Sequence, residues 1–110
     1  MEITSQDVDG VTVFDIDGKI DTGTSPDAQR AIDARIAEGA SKILVDLSKV
    51  DFVSSTGLRV FLVTAKRLNG SGGALHLCGL NEVVAEIFEI SGFDTILDVY
   101  SSRDEALSEF

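Results

Sequence analysis

The chain is poor in the residues that staple small proteins or bind metals. It has one cysteine (Cys78), one histidine (His76) and one proline (Pro26), and it has no tryptophan. A single cysteine cannot form an internal disulfide, which suits a reducing compartment. A zinc site needs more ligands than His76 and Cys78 supply, so these two residues are interpreted as packing residues. We expect no metal site and no cofactor.

Long hydrophobic runs are also absent. No apolar segment approaches the roughly 20 residues that span a bilayer, and Met1 and Glu2 lead directly into an alternating pattern without a basic and apolar leader. These absences predict a complete, cytoplasmic chain without direct membrane insertion. A chain of 110 residues fits one domain, because burial of about 65% of its unfolded surface is enough for a single core.

Basic residues are scarce relative to acidic ones. The chain has 9 Lys and Arg against 19 Asp and Glu, which gives a formal net charge of −10. This charge opposes nonspecific binding to nucleic acid or to an anionic bilayer and favours a protein partner. The segment 52–81 contains Arg59, Lys66 and Arg67 but no acidic residue, so the rest of the chain carries about −13. We therefore expect a protein partner and no nucleic acid.

The hydrophobic pattern predicts strands that alternate with helices. Strands are predicted over 3–8, 11–16, 42–47, 74–78 and 96–99, with a hairpin turn at Asp9 and Gly10. Helices are predicted over 25–38 and 55–68, from Asn81 to Gly92, and from Ser102 onward. Ser25 is the candidate cap of the first helix. The order predicts an α/β fold, with a mixed sheet of about five strands, an N-terminal hairpin and about four helices.

The most informative stretch is 51–58, where three consecutive hydroxyl residues lie between a buried-type strand and an amphipathic helix. They are Ser54, Ser55 and Thr56. Such hydroxyls can cap the helix, and a phosphate at this place would meet free backbone N–H groups and the positive end of the helix dipole. A simple cap and a modification site both fit the local pattern. If the second and third strands are parallel neighbours, the loop of Asp21 lies at the same edge.

Two acidic motifs suggest enzymes. The segment 13–18 resembles the opening of haloacid-dehalogenase phosphatases, in which Asp15 would attack phosphorus and Asp17 would handle the leaving-group proton. That chemistry also needs Mg²⁺ carboxylates and a longer parallel domain, so we favour outward-facing carboxylates on an alternating strand. The segment 21–25 resembles the catalytic loop of aspartic proteases, but those folds are almost entirely β. We favour a turn followed by a helix, and we expect no catalytic residue.

The whole chain resembles the STAS domain, specifically the bacterial anti-sigma factor antagonists. The resemblance covers essentially all 110 residues and depends on the order of elements and on several short motifs. These motifs are Gly18-Lys19-Ile20-Asp21, Val45-Asp46-Leu47, Asp51 to Leu58, Ser91-Gly92-Phe93-Asp94 and Ile96-Leu97-Asp98-Val99. The resemblance implies one STAS domain over residues 1–110, which acts as a regulator and not as an enzyme.

The resemblance also implies a phosphorylation site. In the family the acceptor is the hydroxyl residue two positions before a Gly-Leu pair, which here is Ser55 before Gly57 and Leu58. Many relatives have Asp immediately before the acceptor, whereas this chain has Ser54, so Ser54 and Thr56 are secondary candidates. The implied partners are an anti-sigma factor with serine kinase activity and a serine phosphatase. Phosphorylation would end the complex, and dephosphorylation would restore it and free a sigma factor.

The implied partner surface joins the Asp21 loop, the Ser55 junction and the helix that follows. Its residues are Asp21, Thr22, Thr24, Ser54, Ser55, Thr56, Gly57, Leu58 and Arg59. Arg59, four residues after Ser55, would be placed to meet either the partner or the phosphate. The departure at Ser54 leaves one alternative open, a STAS subunit of a lipid transporter or sensory complex that has no phosphorylation cycle.

Overall fold

The computed structural model describes residues 1–110 as a mixed five-stranded sheet with four α-helices. The strands are β1 (Glu2–Val8), β2 (Val11–Ile20), β3 (Lys42–Val53), β4 (Ala74–Cys78) and β5 (Asp98–Tyr100). The helices are α1 (Ser25–Ala37), α2 (Ser55–Gly70), α3 (Glu82–Ser91) and α4 (Arg103–Ser108), with a 3₁₀ turn at Phe93–Thr95. Strand β1 is antiparallel to β2, and the other neighbours are parallel in chain order. The predicted fold class is confirmed.

Local sequence signals account for the hairpin and for three helix starts. Asp9 and Gly10 both have positive φ angles, 50° and 84°, as a two-residue type I′ turn requires. Ser54, Asn81 and Ser102 each accept a hydrogen bond from the backbone N–H three residues further on. These bonds cap α2, α3 and α4. None of the four helices has the length and hydrophobicity of a membrane span.

Alternating side chains give the sheet two apolar faces. The larger core lies between one face and helices α1, α2 and α3. Its fully buried members include Phe14, Ile16, Ile32, Ile43, Val45, Leu47, Phe61, Leu77 and Phe88. The smaller cluster lies on the other face, where Val11, Val13, Leu44 and Cys78 meet Ala106 of α4. Three helices therefore cover one face, and α4 covers part of the other.

His76 and Cys78 lie under α4 on the second face of the sheet. The His76 Nδ1–H donates to the Ala106 carbonyl at 2.9 Å, since that oxygen can only accept. The His76 ring stacks on Phe110 with centroids 3.7 Å apart and meets Tyr100 at 4.7 Å. Burial, with a smaller effect of nearby acidic groups, raises the pKa of the Cys78 thiol to about 12. Both residues pack in the interior, as the sequence interpretation proposed.

Strands β2 and β3 are longer than the alternation predicts. The sequence predicts a loop over 18–20, but this segment belongs to β2, and β3 continues to Val53. The apolar pattern failed here because the register shifts between Asp15 and Asp17 and again after Gly18. These irregularities interrupt the two-residue period, although Ile20 and Val53 are both buried.

Two further boundaries differ from the prediction. The last strand is Asp98–Tyr100 and not 96–99, because the chain first makes the 3₁₀ turn at Phe93–Thr95. Ser25 is not the cap of α1, because it is the first helical residue and is buried, while Thr24 occupies the N-cap position without a side-chain cap bond.

Gly73 provides a test of how closely the start of β4 approaches β3. A Cβ atom at Gly73 would lie 2.2 Å from the Ser41 carbonyl oxygen, whereas one at Gly70 meets nothing. We expect Gly73→Ala to lower the free energy of unfolding by about 1–3 kcal/mol. The matched change Gly70→Ala, in the last turn of α2, should raise it by up to about 1 kcal/mol. Urea unfolding followed by far-UV circular dichroism measures both, and equal midpoints would contradict the close approach.

Candidate functional site

The carboxyl ends of β2 and β3 lie side by side. Their last residues, Ile20 and Val53, pair in parallel register. The Ser54 N–H donates to the Ile20 carbonyl at 2.8 Å, which joins the first residue after β3 to the last residue of β2. The Asp21 loop and the start of α2 therefore share one edge of the sheet. We call residues 21–24 and 54–59 the junction edge.

Gly57 allows the first turn of α2 to lie directly on the two strand ends. A Cβ atom here would be 2.8 Å from side-chain carbons of Ile20 and Val53 and 3.0 Å from the Ile20 carbonyl oxygen. The next residue, Leu58, is buried in the main core. Gly57 and Leu58 therefore fix the position of the junction edge and offer a partner almost no surface, unlike the contact role expected for them.

The three hydroxyl residues have different environments. Ser54 is the N-cap of α2, and its Oγ accepts from the Gly57 N–H at 3.3 Å. The same Oγ lies 2.7 Å from the Thr56 Oγ1, so both of these side chains are engaged within the fold. Ser55, the first helical residue, is exposed, and its hydroxyl makes no hydrogen bond within the protein. Ser55 is therefore the free hydroxyl of the three.

The start of α2 also differs electrostatically from the other helix starts. Each of the other three α-helices has an acidic residue in its first turn, whereas α2 has none. The positive end of the α2 dipole is therefore not offset by a carboxylate in its own first turn. Arg59, one turn further along α2, is exposed and makes no ion pair, whereas Arg67 pairs with Asp33 at 3.0 Å. The basic character predicted for this segment is present at its surface.

The Asp21 carboxylate stabilises its own loop. Its Oδ1 accepts from the N–H groups of Gly23 and Thr24 at 2.9 and 3.0 Å. Mainly the backbone bond from Thr24, with help from the Thr24 hydroxyl and Lys19, lowers the pKa of Asp21 below its ordinary value. This aspartate is ionised and accepts only within its turn, whereas a proteolytic pair shares a proton. The loop tip presents Thr22 and Gly23 to solvent.

A shallow groove between α1 and α2 continues the junction edge along α2. Its lining includes Pro26 and Gln29 from α1 and Thr56, Arg59 and Val63 from α2. The Val63 side chain is unusually exposed for an apolar residue, at 45%. Sequence reasoning missed the α1 side of this groove and Val63. A helical wheel of α2 would have placed Val63 on the same side as Ser55 and Arg59.

Of the nine residues expected at a partner surface, seven are exposed or half-buried, and all nine lie at the junction edge. The seven are Asp21, Thr22, Thr24, Ser54, Ser55, Thr56 and Arg59. The structure therefore brings together two segments that are distant in sequence, since Ser54 follows Thr24 by 30 residues.

A cluster of charged residues lies away from the junction edge, on the face that carries α4. Arg103 donates to the Asp46 Oδ2 at 2.9 and 3.0 Å and also pairs with Asp15. Burial raises the pKa of Asp46, but hydrogen bonds from the N–H and hydroxyl of Ser48 and from Arg103 outweigh it, and the resulting pKa lies below the ordinary value. Sequence spacing gave no sign of a pair 57 residues apart.

The same cluster bears on the phosphatase alternative. Asp15 faces Asp46 across the strands and is ion-paired with Arg103, while Asp17 is exposed on the same strand. No group of three or more Asp, Glu, His or Cys residues is arranged to hold a metal ion. The outward-facing carboxylates expected on β2 are present, and Asp15 helps to attach α4 to the sheet.

The chain matches a known protein family along almost its whole length. The STAS domain family model matches residues 2–106. The chain is 36% identical over 110 residues to BtrV of Bordetella bronchiseptica, a candidate anti-sigma factor antagonist. The alignment covers 100% of this chain and 95% of BtrV. It is 30% identical over 105 residues to the anti-sigma-B factor antagonist of Listeria monocytogenes, covering 96% and 91% of the two chains.

Solved structures share the fold. The Bacillus anti-sigma factor antagonist SpoIIAA in its unphosphorylated form superimposes with a TM-score of 0.82 at 20% identity, over 98% of this chain and 95% of SpoIIAA. The phosphorylated form of SpoIIAA superimposes with a TM-score of 0.74 at 19% identity, over 98% of both chains. At these identities the likeness concerns the fold.

The separate environments of Ser54 and Ser55 predict different effects of removing each hydroxyl. Ser54→Ala deletes the cap of α2 and should lower the free energy of unfolding by about 1 kcal/mol. Ser55→Ala removes a hydroxyl without a partner and should change it by less than about 0.5 kcal/mol. Urea unfolding of the two variants beside the wild type gives the comparison. The assignment of the cap is wrong if Ser55→Ala is the more damaging change.

The Arg103 pair predicts a pH-dependent loss of stability. Arg103→Gln leaves the largely buried Asp46 without its charged partner, and we expect a cost of about 2 kcal/mol at neutral pH. In the wild type the lowered pKa of Asp46 stabilises the fold above its unfolded pKa of about 4, and this contribution is lost as the pH falls through the folded pKa. The difference in the free energy of unfolding between Arg103→Gln and the wild type should therefore be smaller at about pH 3 than at neutral pH. Urea unfolding at the two pH values measures this difference. An equal difference at both would contradict the stabilising role of the pair between Arg103 and Asp46.

Proposed function

Because this chain belongs to the STAS domain family, in its group of anti-sigma factor antagonists, we propose that it is a partner switch controlled by phosphorylation of Ser55. The unmodified chain binds an anti-sigma factor through the junction edge and so frees a sigma factor for transcription. Phosphorylation of Ser55 ends that complex. The group is regulatory, and the partners in this cycle are an anti-sigma factor with serine kinase activity and a serine phosphatase, all in the cytoplasm.

The environment of the Ser55 hydroxyl is the observation that supports this proposal. Ser55 is an exposed hydroxyl without a partner, at the start of the one α-helix that has no acidic residue in its first turn. The first N–H groups of a helix have no intrahelical acceptor, so those of Ser55 and Thr56 are free to meet phosphate oxygens. A phosphate carries about −1.5 to −2 charges, which the helix dipole and nearby Arg59 favour. The protein can therefore accept the modification without losing its fold.

The same phosphate is unfavourable inside a protein interface. Val63 on α2 and Phe52 at the end of β3 are 45% and 41% exposed, so apolar surface flanks the junction edge. Apolar side chains at the centre of an interface exclude water from their surroundings. A doubly charged group placed there must lose its hydration and face any acidic group of the partner, at a cost of several kcal/mol. Phosphorylation would thus disrupt the complex and leave the fold intact.

Two features of the fold are compatible with the cycle. SpoIIAA, which shares this fold, has been solved in unphosphorylated and phosphorylated forms, so the architecture is compatible with both. Ser54, which stands where many relatives have Asp, performs the capping role equally well, because Ser and Asp are similarly effective N-caps. Ser in place of Asp at position 54 therefore preserves the cap of α2 at the junction edge.

Ser55→Asp and Ser55→Ala test the switch directly. We expect Ser55→Asp to weaken binding of the anti-sigma factor at least about 10-fold, because it adds a charge at the interface, and Ser55→Ala to retain wild-type affinity. The control Ser108→Asp places the same charge on α4, on the opposite face of the sheet, and should have no effect. Partners captured from native lysate by the wild-type, Ala and Asp baits are identified by mass spectrometry and then titrated by calorimetry.

Two results would contradict the proposal. Equal affinities of all three Ser55 forms would remove the switch from this residue. Stable capture of membrane transport subunits by every bait, with unmodified Ser55 in the intact mass of the recovered chain, would favour the transporter or sensory subunit without a phosphorylation cycle.

A further inference from the structure

Helix α3 and the residue after the 3₁₀ turn carry the most exposed apolar side chains of the protein. Ile90, Ile96 and Val83 are 79%, 60% and 56% exposed, more than any other large hydrophobic residue. The inward face of α3 is already filled, because Val84 and Phe88 are fully buried in the main core. The exposed row is therefore additional to what the fold requires. We call residues 82–96 the α3 surface.

The outward residues of α3 form two parallel stripes. One stripe is apolar and has the spacing i, i+4 and i+7, with Val83, Ile87 and Ile90 as its members. Ile87 is half-buried and lies between the two exposed side chains. Glu82, Glu86 and Glu89 have the same spacing one position earlier and are all exposed. Residues at this spacing lie on one side of a helix. The α3 surface thus has an apolar row with an acidic row beside it.

The charge of the α3 surface is of one sign. From residue 79 to residue 102 the chain has five acidic residues and no Lys or Arg. None of the three glutamates of α3 takes part in an ion pair, although carboxylates elsewhere do. Apolar side chains exposed beside unpaired carboxylates are complementary to a surface that is both apolar and basic.

We propose that the α3 surface binds a basic amphipathic helix of a partner protein. The apolar face of that helix packs on Val83, Ile87 and Ile90, and its Lys and Arg side chains lie over the glutamate row. Helix-on-helix recognition of this kind uses anchors at the spacing found here. A second copy of the chain is a poor occupant, because both chains carry a net charge of −10, and an antiparallel two-fold pair would also bring the glutamate rows together.

The α3 surface and the junction edge recognise different chemistry. The segment 52–81, which contains the start of α2, has three basic residues and no acidic one, whereas the segment 79–102 has the reverse. Asn81 ties the start of α3 to β3, since its Nδ2 donates to the Val50 carbonyl at 2.8 Å. Both surfaces are thus anchored to the same strand, β3.

An NMR titration of the full chain with a synthetic leucine and lysine amphipathic helix tests this proposal. Changes in the ¹H–¹⁵N spectrum should concentrate in residues 82–96. Ile90→Ser and Glu86→Lys should each weaken binding about 10-fold, because the first removes the most exposed member of the apolar row and the second reverses the charge at the centre of the acidic row. The control Val63→Ser, an exposed valine on α2, and the variant Ser55→Asp should leave the affinity unchanged. A peptide with serine in place of leucine should not bind.

Several outcomes would overturn the proposal. These are no binding of the peptide, changes spread over all acidic segments, or equal affinity of Ile90→Ser and wild type. A concentration-dependent dimer that Ile90→Ser dissociates would identify a second copy as the occupant and would also overturn it. Because Val83 and Ile90 are exposed, Val83→Ser serves as a second variant, and an unchanged unfolding midpoint shows that each variant is folded.

Discussion

The parallel pairing of β2 and β3 to their last residues is the constraint on which the junction edge depends. Ile20 and Val53 pair, the Ser54 N–H binds the Ile20 carbonyl, and only a residue without Cβ fits at position 57. The first turn of α2 is therefore held against two strand ends and has little freedom to move. Its exposed N–H groups and the Ser55 hydroxyl have fixed positions because the core beneath them is fully packed.

This arrangement separates structural and functional roles among adjacent hydroxyls. Ser54 caps the helix and holds Thr56, so the fold does not need the hydroxyl of Ser55. A residue free of structural duty can change its charge without changing the packing. The same separation applies to Asp21, whose carboxylate shapes its loop while Thr22 and Gly23 form the exposed tip. The hydrogen bonds that fix the edge therefore come from residues other than Ser55.

The sequence predicts the element order and the capped helices at Asn81 and Ser102, because these features depend on short local patterns. It also predicts the shared edge of Asp21 and Ser55, because parallel neighbouring strands end at the same edge of a sheet. It missed the true ends of β2 and β3, where register shifts break the alternation. The engagement of Asp21 within its own turn was readable from the Asp-Thr-Gly-Thr sequence. The Arg103 pair with Asp46 joins distant segments, so no local pattern indicates it.

The central claim is that phosphate on Ser55 disrupts the partner complex and leaves the fold intact. The most direct measurement is calorimetric titration of the anti-sigma factor with a chain that carries phosphoserine only at position 55, with thermal unfolding of the same sample. We expect the affinity to fall at least about 100-fold and the unfolding midpoint to stay within about 3 °C. Unchanged affinity, or affinity lost together with cooperative unfolding, would contradict the claim.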